Sequence, residues 1–145
     1  MSSAFRLPGA TRATRSRLGY QPVEKPGTIL QRHRVANGIP LKIVADRMGV
    51  APASLALLES GENVRWHTLA DCARVLGVGL EIDLSRSALH GKTAAQIAAA
   101  SGLDEGTART ILKWLCEPRR DDGAGIYLQS LEAFLNVFNT RIMVV

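Results

Sequence analysis

The chain has 145 residues, 46% of them apolar and 21% charged, and carries a net charge of +5. That is the composition of a folded chain with room for one ordinary domain or two very small ones. It excludes a membrane-spanning helix, because no apolar run approaches the ~18 residues required. The charge is unevenly placed: residues 1–34 hold seven Arg or Lys against Glu24 alone, so the rest of the chain is close to neutral. Residues 1–25 therefore read as a basic, flexible arm suited to a polyanion, with a purely solvated tail as the alternative. The Arg- and Ser-rich start also has the composition of an import presequence, but Pro8, Gly9 and Gly19 interrupt any amphipathic helix there. Cys72 and Cys116 lack the spacing of a zinc site or a disulfide framework and read as small core residues of a cytoplasmic protein.

In chain order, a first helix is predicted from about Thr28, as N-cap, to Asn37, stopped by Gly38. Pro40 opens a second helix, Leu41 to Met48, and Gly49 ends it; Pro52 opens a third, running to Glu59 and closed by Gly61. Leu69, Cys72, Ala73 and Leu76 mark one buried face of a fourth helix, Thr68 to Leu76. In GLEIDL, Leu80, Ile82 and Leu84 alternate with Glu81 and Asp83, the pattern of a half-buried strand. A lone strand after four helices has nothing within its own unit to pair with.

The second half repeats this plan. A shift of 53 residues sets Gly49 on Gly102, Val44-Ala45 on Ile97-Ala98, Val50 on Leu103, Ser54 on Thr107 and Leu58 on Ile111. A nine-residue insertion within EPRRDDGAGIY then raises the shift to 62, which sets Leu69, Cys72, Leu76, Leu80 and Ile82 on Leu131, Phe134, Phe138, Ile142 and Val144. TRIMVV becomes a second terminal strand, after a fourth helix Leu128 to Phe138. The expected fold is all-α: two tandem units, residues 26–84 and 85–145, each followed by a short strand.

The residues Arg34, Gly38, Ala45, Gly49-Val50, Leu55, Leu58, Glu59, Gly61 and Leu76-Gly77-Val78 resemble the Xre/Cro, or lambda-repressor-like, helix-turn-helix family. The resemblance implies a desolvated ion pair between Arg34 of helix one and Glu59 at the end of helix three. The second unit is similar through Thr93 as cap, Ala98, Gly102-Leu103, Thr107 and Ile111, but it lacks that pair, having Ser87 and Leu112 there. It is a divergent copy whose first helix must be short. Some antitoxins of the family use an extra strand after the last helix to pair across a dimer. By that likeness Leu80, Ile82 and Leu84 pair with Ile142 and Val144 into a small sheet on the fourth helices, either inside one chain as a pseudo-dimer or between chains in a homodimer with swapped strands.

The resemblance also implies that helix three enters the major groove of double-stranded DNA. In the first unit the base-facing positions are Pro52, Ala53, Ala56 and Leu57, none with a side-chain donor or acceptor. In the second they are Glu105, Gly106, Arg109 and Thr110, beside Thr107 and with Lys113 one turn on. Arg109 suits guanine and Glu105 suits cytosine, so the second unit is the expected reader and the first a positioner. Lys42, Arg47, Arg65, Arg119 and Arg120 stand where phosphate contacts are expected. The bland alternatives are a solvated helix face for Arg109 and Lys113, and local pairing of Arg119-Arg120 with Asp121-Asp122.

Trp66 and Trp114 are expected in the core, and His33, His67 and His90 form no ligand cluster, so neither metal nor cofactor is implied. No catalytic constellation is present. The expected function is a sequence-specific transcriptional regulator of a bacterium or phage, a repressor rather than an activator for want of a separate effector domain. The competing expectation is an antitoxin or anti-activator, its protein partner held on the apolar helix of the first unit.

Overall fold

The computed structural model describes residues 24–117 and 125–145, and the basic arm up to residue 23 falls outside them. The described residues form eight helices and two short strands: α1 Pro26–Ala36, α2 Leu41–Met48, α3 Pro52–Glu59, α4 Trp66–Leu76, β1 Leu80–Ile82, α5 Arg86–His90, α6 Ala94–Ser101, α7 Glu105–Cys116, α8 Leu128–Val137 and β2 Ile142–Val144. The fold is mostly helical with one two-stranded antiparallel sheet.

Helix boundaries follow local chemistry. Proline supplies the preset φ and missing N–H that suit a first turn at Pro26 and Pro52. Gly49 and Gly102 end α2 and α6 in the left-handed conformation, with φ of 74° and 82°. Thr93 and Gln96 close a reciprocal capping box on α6. Two expectations are corrected here. Helix one begins at Pro26 with Lys25 at the cap position, and Thr28 lies inside it, where its hydroxyl donates instead to the Glu59 carbonyl at 3.2 Å. Helix four begins at Trp66 rather than Thr68.

In the first half, Leu30, Val44, Leu55, Leu58 and Leu69 are fully buried among the helices. Gly27 lets α1 touch α3, because a Cβ there would sit 1.9 Å from the Leu58 carbonyl oxygen. The expected ion pair is present. Arg34 donates from Nε and Nη2 to the two Glu59 oxygens at 2.6 and 3.0 Å, and from Nη1 to the Ile39 carbonyl at 2.9 Å. Glu59 is only 3% exposed, so this forked geometry is what makes a buried carboxylate tolerable. The neighbouring Cys72 thiol is pushed up to about 11 by burial and then by the Glu59 carboxylate, which makes it an inert core group.

The second half keeps the frame without the ion pair. Its α6 matches α2 end for end at a shift of 53, and β2 matches β1 at a shift of 62. Its first helix, α5, is reduced to five residues, because β1 and its exit occupy the chain that would have begun it. Ile97, Ile111, Leu131 and Phe134 fill its core, which is continuous with that of the first half.

The halves meet around a local two-fold relation. In the sheet, Leu80 faces Val144, Glu81 faces Met143 and Ile82 faces Ile142, so positions equivalent at a shift of 62 cross over symmetrically about Glu81 and Met143. A second, isolated antiparallel bridge joins Arg65 to Tyr127, again separated by 62. It is closed by Trp66 N–H donating to the Ile126 carbonyl and Leu128 N–H donating to the Val64 carbonyl, both at 2.7 Å. Trp66 and Trp114 stack edge to face across the junction, centroids 5.4 Å apart. Asn63 of the first half accepts from the Gln129 N–H in the first turn of α8.

The sheet differs from expectation in three ways. β1 ends at Ile82, so Leu84 lies beyond the pairing and packs half-buried against the core. The helix that lies most closely along β2 is α1, where the two fourth helices were expected. Burial falls on β2: Ile142 and Met143 are 5% and 1% exposed, while Ile82 is only half-buried. A Lys at 82 can therefore extend towards water, and the sensitive position is the one opposite Glu81.

Two outcomes follow for stability. Arg34→Ala should cost about 3–5 kcal/mol, because it strands the Glu59 carboxylate, and Arg34→Met with Glu59→Leu together should cost less than Arg34→Ala alone; urea titrations of the three proteins compare them. Met143→Lys should lower the urea midpoint more than Ile82→Lys, since only the former buries a charge outright.

Candidate nucleic-acid interface

Each third helix buries one face and leaves the other open. In α3, Leu55, Leu58 and Glu59 turn inward, while Pro52, Ala53, Ala56 and Leu57 are exposed. In α7, Ala108, Ile111 and Trp114 turn inward, and Glu105, Gly106, Arg109, Thr110 and Lys113 are exposed. The base-facing positions expected from sequence thus occupy matching outward faces of two equivalent helices. Lys42 and Arg47 are exposed on α2, beside α3.

The two faces differ in chemistry. The α3 face is apolar, with Leu57 54% exposed. The α7 face is polar, but several of its groups are engaged within the helix. Arg109 Nη2 donates to Glu105 Oε2 at 2.5 Å, one helical turn away. Thr110 Oγ1 donates to the Gly106 carbonyl at 3.0 Å. Thr107 is half-buried, and its hydroxyl and backbone N–H both donate to Asp104, at 2.6 and 3.1 Å. Thr107 is therefore engaged with the Asp104 cap rather than turned outward. The Arg109–Glu105 pair is well exposed, so opening it to release the guanidinium costs little.

Asp104 was not singled out by sequence, although a carboxylate just before a helical run followed by Thr three residues on is a recognisable N-cap signal. It accepts two hydrogen bonds from Thr107, and these hold its carboxyl below the usual range. With Glu105 beside it, the start of α7 is a negative, capped end, poorly suited to a phosphate. The start of α3 has Ala51 at its cap position and no side-chain cap.

Arg65 belongs to the junction. Its guanidinium lies over the Tyr127 ring, 5.5 Å from the centroid, and Nε donates to the Tyr127 hydroxyl at 3.4 Å. It is nevertheless exposed, so a phosphate can still reach it. The importance of Tyr127 was not visible in a single copy; it emerges only when 65 is set on 127. His67 is half-buried, and its enclosed Nδ1 has no hydrogen-bond partner among the described residues. Cys116 Sγ lies 3.7 Å from His90 Nε2. Arg119 and Arg120 lie outside the described residues. Among the described residues no group of three or more His, Cys, Asp or Glu is arranged to hold a metal ion, and no helix is long and apolar enough to cross a membrane.

The depressed Asp104 carboxyl links α7 to pH. A carboxylate whose folded value lies below its unfolded one adds stability above the unfolded value, and that stability is lost as pH falls through the folded one. Asp104→Ala should therefore lower the urea midpoint at neutral pH and leave it nearly unchanged in acid well below the ordinary carboxylate range, where the cap is protonated in both proteins.

No family model matches the chain, and the searches of curated proteins and of solved structures likewise return no match.

Proposed function

We propose that this protein is a sequence-specific, DNA-binding regulator of transcription, built from two lambda-repressor-like helix-turn-helix units that lay α3 and α7 in the major groove. The observation that carries this reading is the matched exposure of the two third helices. In equivalent frames, the same positions point outward on each, unpacked by the other described residues. The buried Arg34–Glu59 fork and the left-handed glycine between α2 and α3 agree with the family resemblance. A chain of this kind works on the nucleoid, in the cytoplasm. It needs no cofactor, since binding and release of DNA are its whole chemistry. On this reading Lys42, Arg47 and Arg65 contact phosphate, α7 reads base edges and α3 offers thymine methyls an apolar surface.

One observation favours a second reading. The open face of α3 is apolar apart from Ser54, which also suits a protein partner, as in an antitoxin or anti-activator. Titrating affinity for duplex DNA against salt separates the two. A DNA regulator binds tightly at low salt and weakens steeply, through counterion release, whereas a protein-partner module binds duplex poorly at every salt concentration.

Glu105→Gln should strengthen duplex binding, because it frees Arg109 and removes a charge that repels phosphate. Arg109→Ala should cost discrimination between preferred and scrambled duplexes by about 1–3 kcal/mol. Fluorescence anisotropy with both duplexes measures the two effects, and an Arg109→Ala protein with unchanged preference would remove α7 as the reader.

A further inference from the structure

We infer that a single chain, without a second copy, occupies a complete two-fold DNA site whose half-sites form an inverted repeat of unequal halves. The inference rests on the DNA-binding reading above and goes beyond it by fixing stoichiometry and half-site orientation.

The carrying observation is the symmetry of the junction. Two separate backbone pairings, Arg65 with Tyr127 and Glu81 with Met143, join residues that are equivalent between the halves at the same shift of 62. Self-pairing of equivalent positions in antiparallel register is what an isologous two-fold interface produces; a head-to-tail tandem would pair each position with a non-equivalent one. The hydrogen bonds obey the same exchange. Trp66 donates to Ile126 and Leu128 donates to Val64, each the image of the other. One axis therefore passes by both pairings, at opposite ends of α4 and α8.

The third helices are carried by the same relation. Late in α7, Trp114 meets Trp66 at the start of α4. At the image position the first half has Gly61, beside Leu58 and Leu128, in a small cleft crossed by the Lys25–Glu132 ion pair at 3.5 Å. The carboxyl ends of α3 and α7 thus approach the axis from opposite sides, and the two open faces are related by rotation rather than by translation. Duplex DNA has two-fold axes of its own, so a rotationally related pair of helices fits an inverted repeat and not a direct one.

The surface that would otherwise recruit a second chain is used up internally. β1 and β2 pair with each other, and Ile142 and Met143 of β2 are buried. The half-sites must differ, because one open face presents Pro52, Ala53, Ala56 and Leu57 and the other Glu105, Gly106, Arg109 and Thr110.

The test is selection of preferred sites from a random-sequence duplex library with the full-length chain, followed by native mass spectrometry of the complex. Expected are two dissimilar half-sites in inverted orientation, centred about one helical turn, ~34 Å, apart, with one chain per duplex. Rebuilding the selected duplex with one half-site reversed into direct orientation should lower affinity at least tenfold. Two chains per duplex, equal affinity for the direct arrangement, or a single uninterrupted site would overturn the inference while leaving DNA binding intact. Failure to enrich any sequence, with weak duplex binding at low salt, would instead overturn the DNA-binding reading beneath it.

Discussion

Backbone pairing across the local two-fold axis is the constraint on which the rest of the molecule depends. A ribbon of three residues on each side is marginal in water by itself. Here it is held because β2 is buried against α1 and because a second pairing, with two 2.7 Å hydrogen bonds, fixes the other end of the junction. Two attachment points at opposite ends of α4 and α8 leave little freedom to hinge. Each half then inherits the position of its third helix from packing within its own frame.

The halves reach stability by different means, and the difference follows from what each kept of a common plan. The first retains a full α1, and with it Arg34, whose fork on Glu59 ties the ends of α1 and α3 together. The second has only the short α5, with Ser87 and Leu112 where the ion pair would stand. Leu112 is half-buried and needs no partner, so no charge is stranded. In compensation α7 runs on to Trp114, whose edge-to-face contact with Trp66 adds roughly 0.5–1.5 kcal/mol beyond its buried area. The polar character of α7 and the apolar character of α3 then divide the proposed tasks of reading and positioning between two otherwise equivalent helices.

Much of this architecture was legible in the residues. Pro52, Gly49 and Gly102 placed helix boundaries correctly, because the conformations they favour dominate at helix ends. The shift of 62 brought Leu80 and Ile82 onto Ile142 and Val144, and the family resemblance added the expectation that the two strands pair, within one chain or between two. Thr28 misled because a Thr ahead of an apolar run is a common cap; Pro26 outweighed it by starting the helix two residues earlier. Leu84 misled because alternation continues past the point where the partner strand ends, and a pattern in one strand does not report the length of the other. The Arg65–Tyr127 bridge and the tryptophan pair are long-range and carry no local pattern. The Arg65–Tyr127 bridge becomes visible only when the repeat is assumed to be two-fold and each position is set beside its own image; the tryptophan pair joins non-equivalent positions and does not become visible even then. At the candidate interface, the positions expected to face outward on α3 and α7 are exposed, but the capping of α7 by Asp104 through Thr107 and the intrahelical hold of Glu105 on Arg109 were not foreseen, since both depend on rotamers.

The central claim is that one chain holds α3 and α7 in a fixed, rotationally related arrangement. Its most direct test is the distance between spin labels at Ala56→Cys and Arg109→Cys, in a Cys116→Ser background with Cys72 left buried, measured by pulsed dipolar spectroscopy with and without excess unlabelled protein. The account predicts one narrow distance that dilution with unlabelled chain leaves unchanged. A broad distribution would show that the halves are not fixed to each other, and loss of the distance on dilution would show that it arises between chains; either result would contradict it.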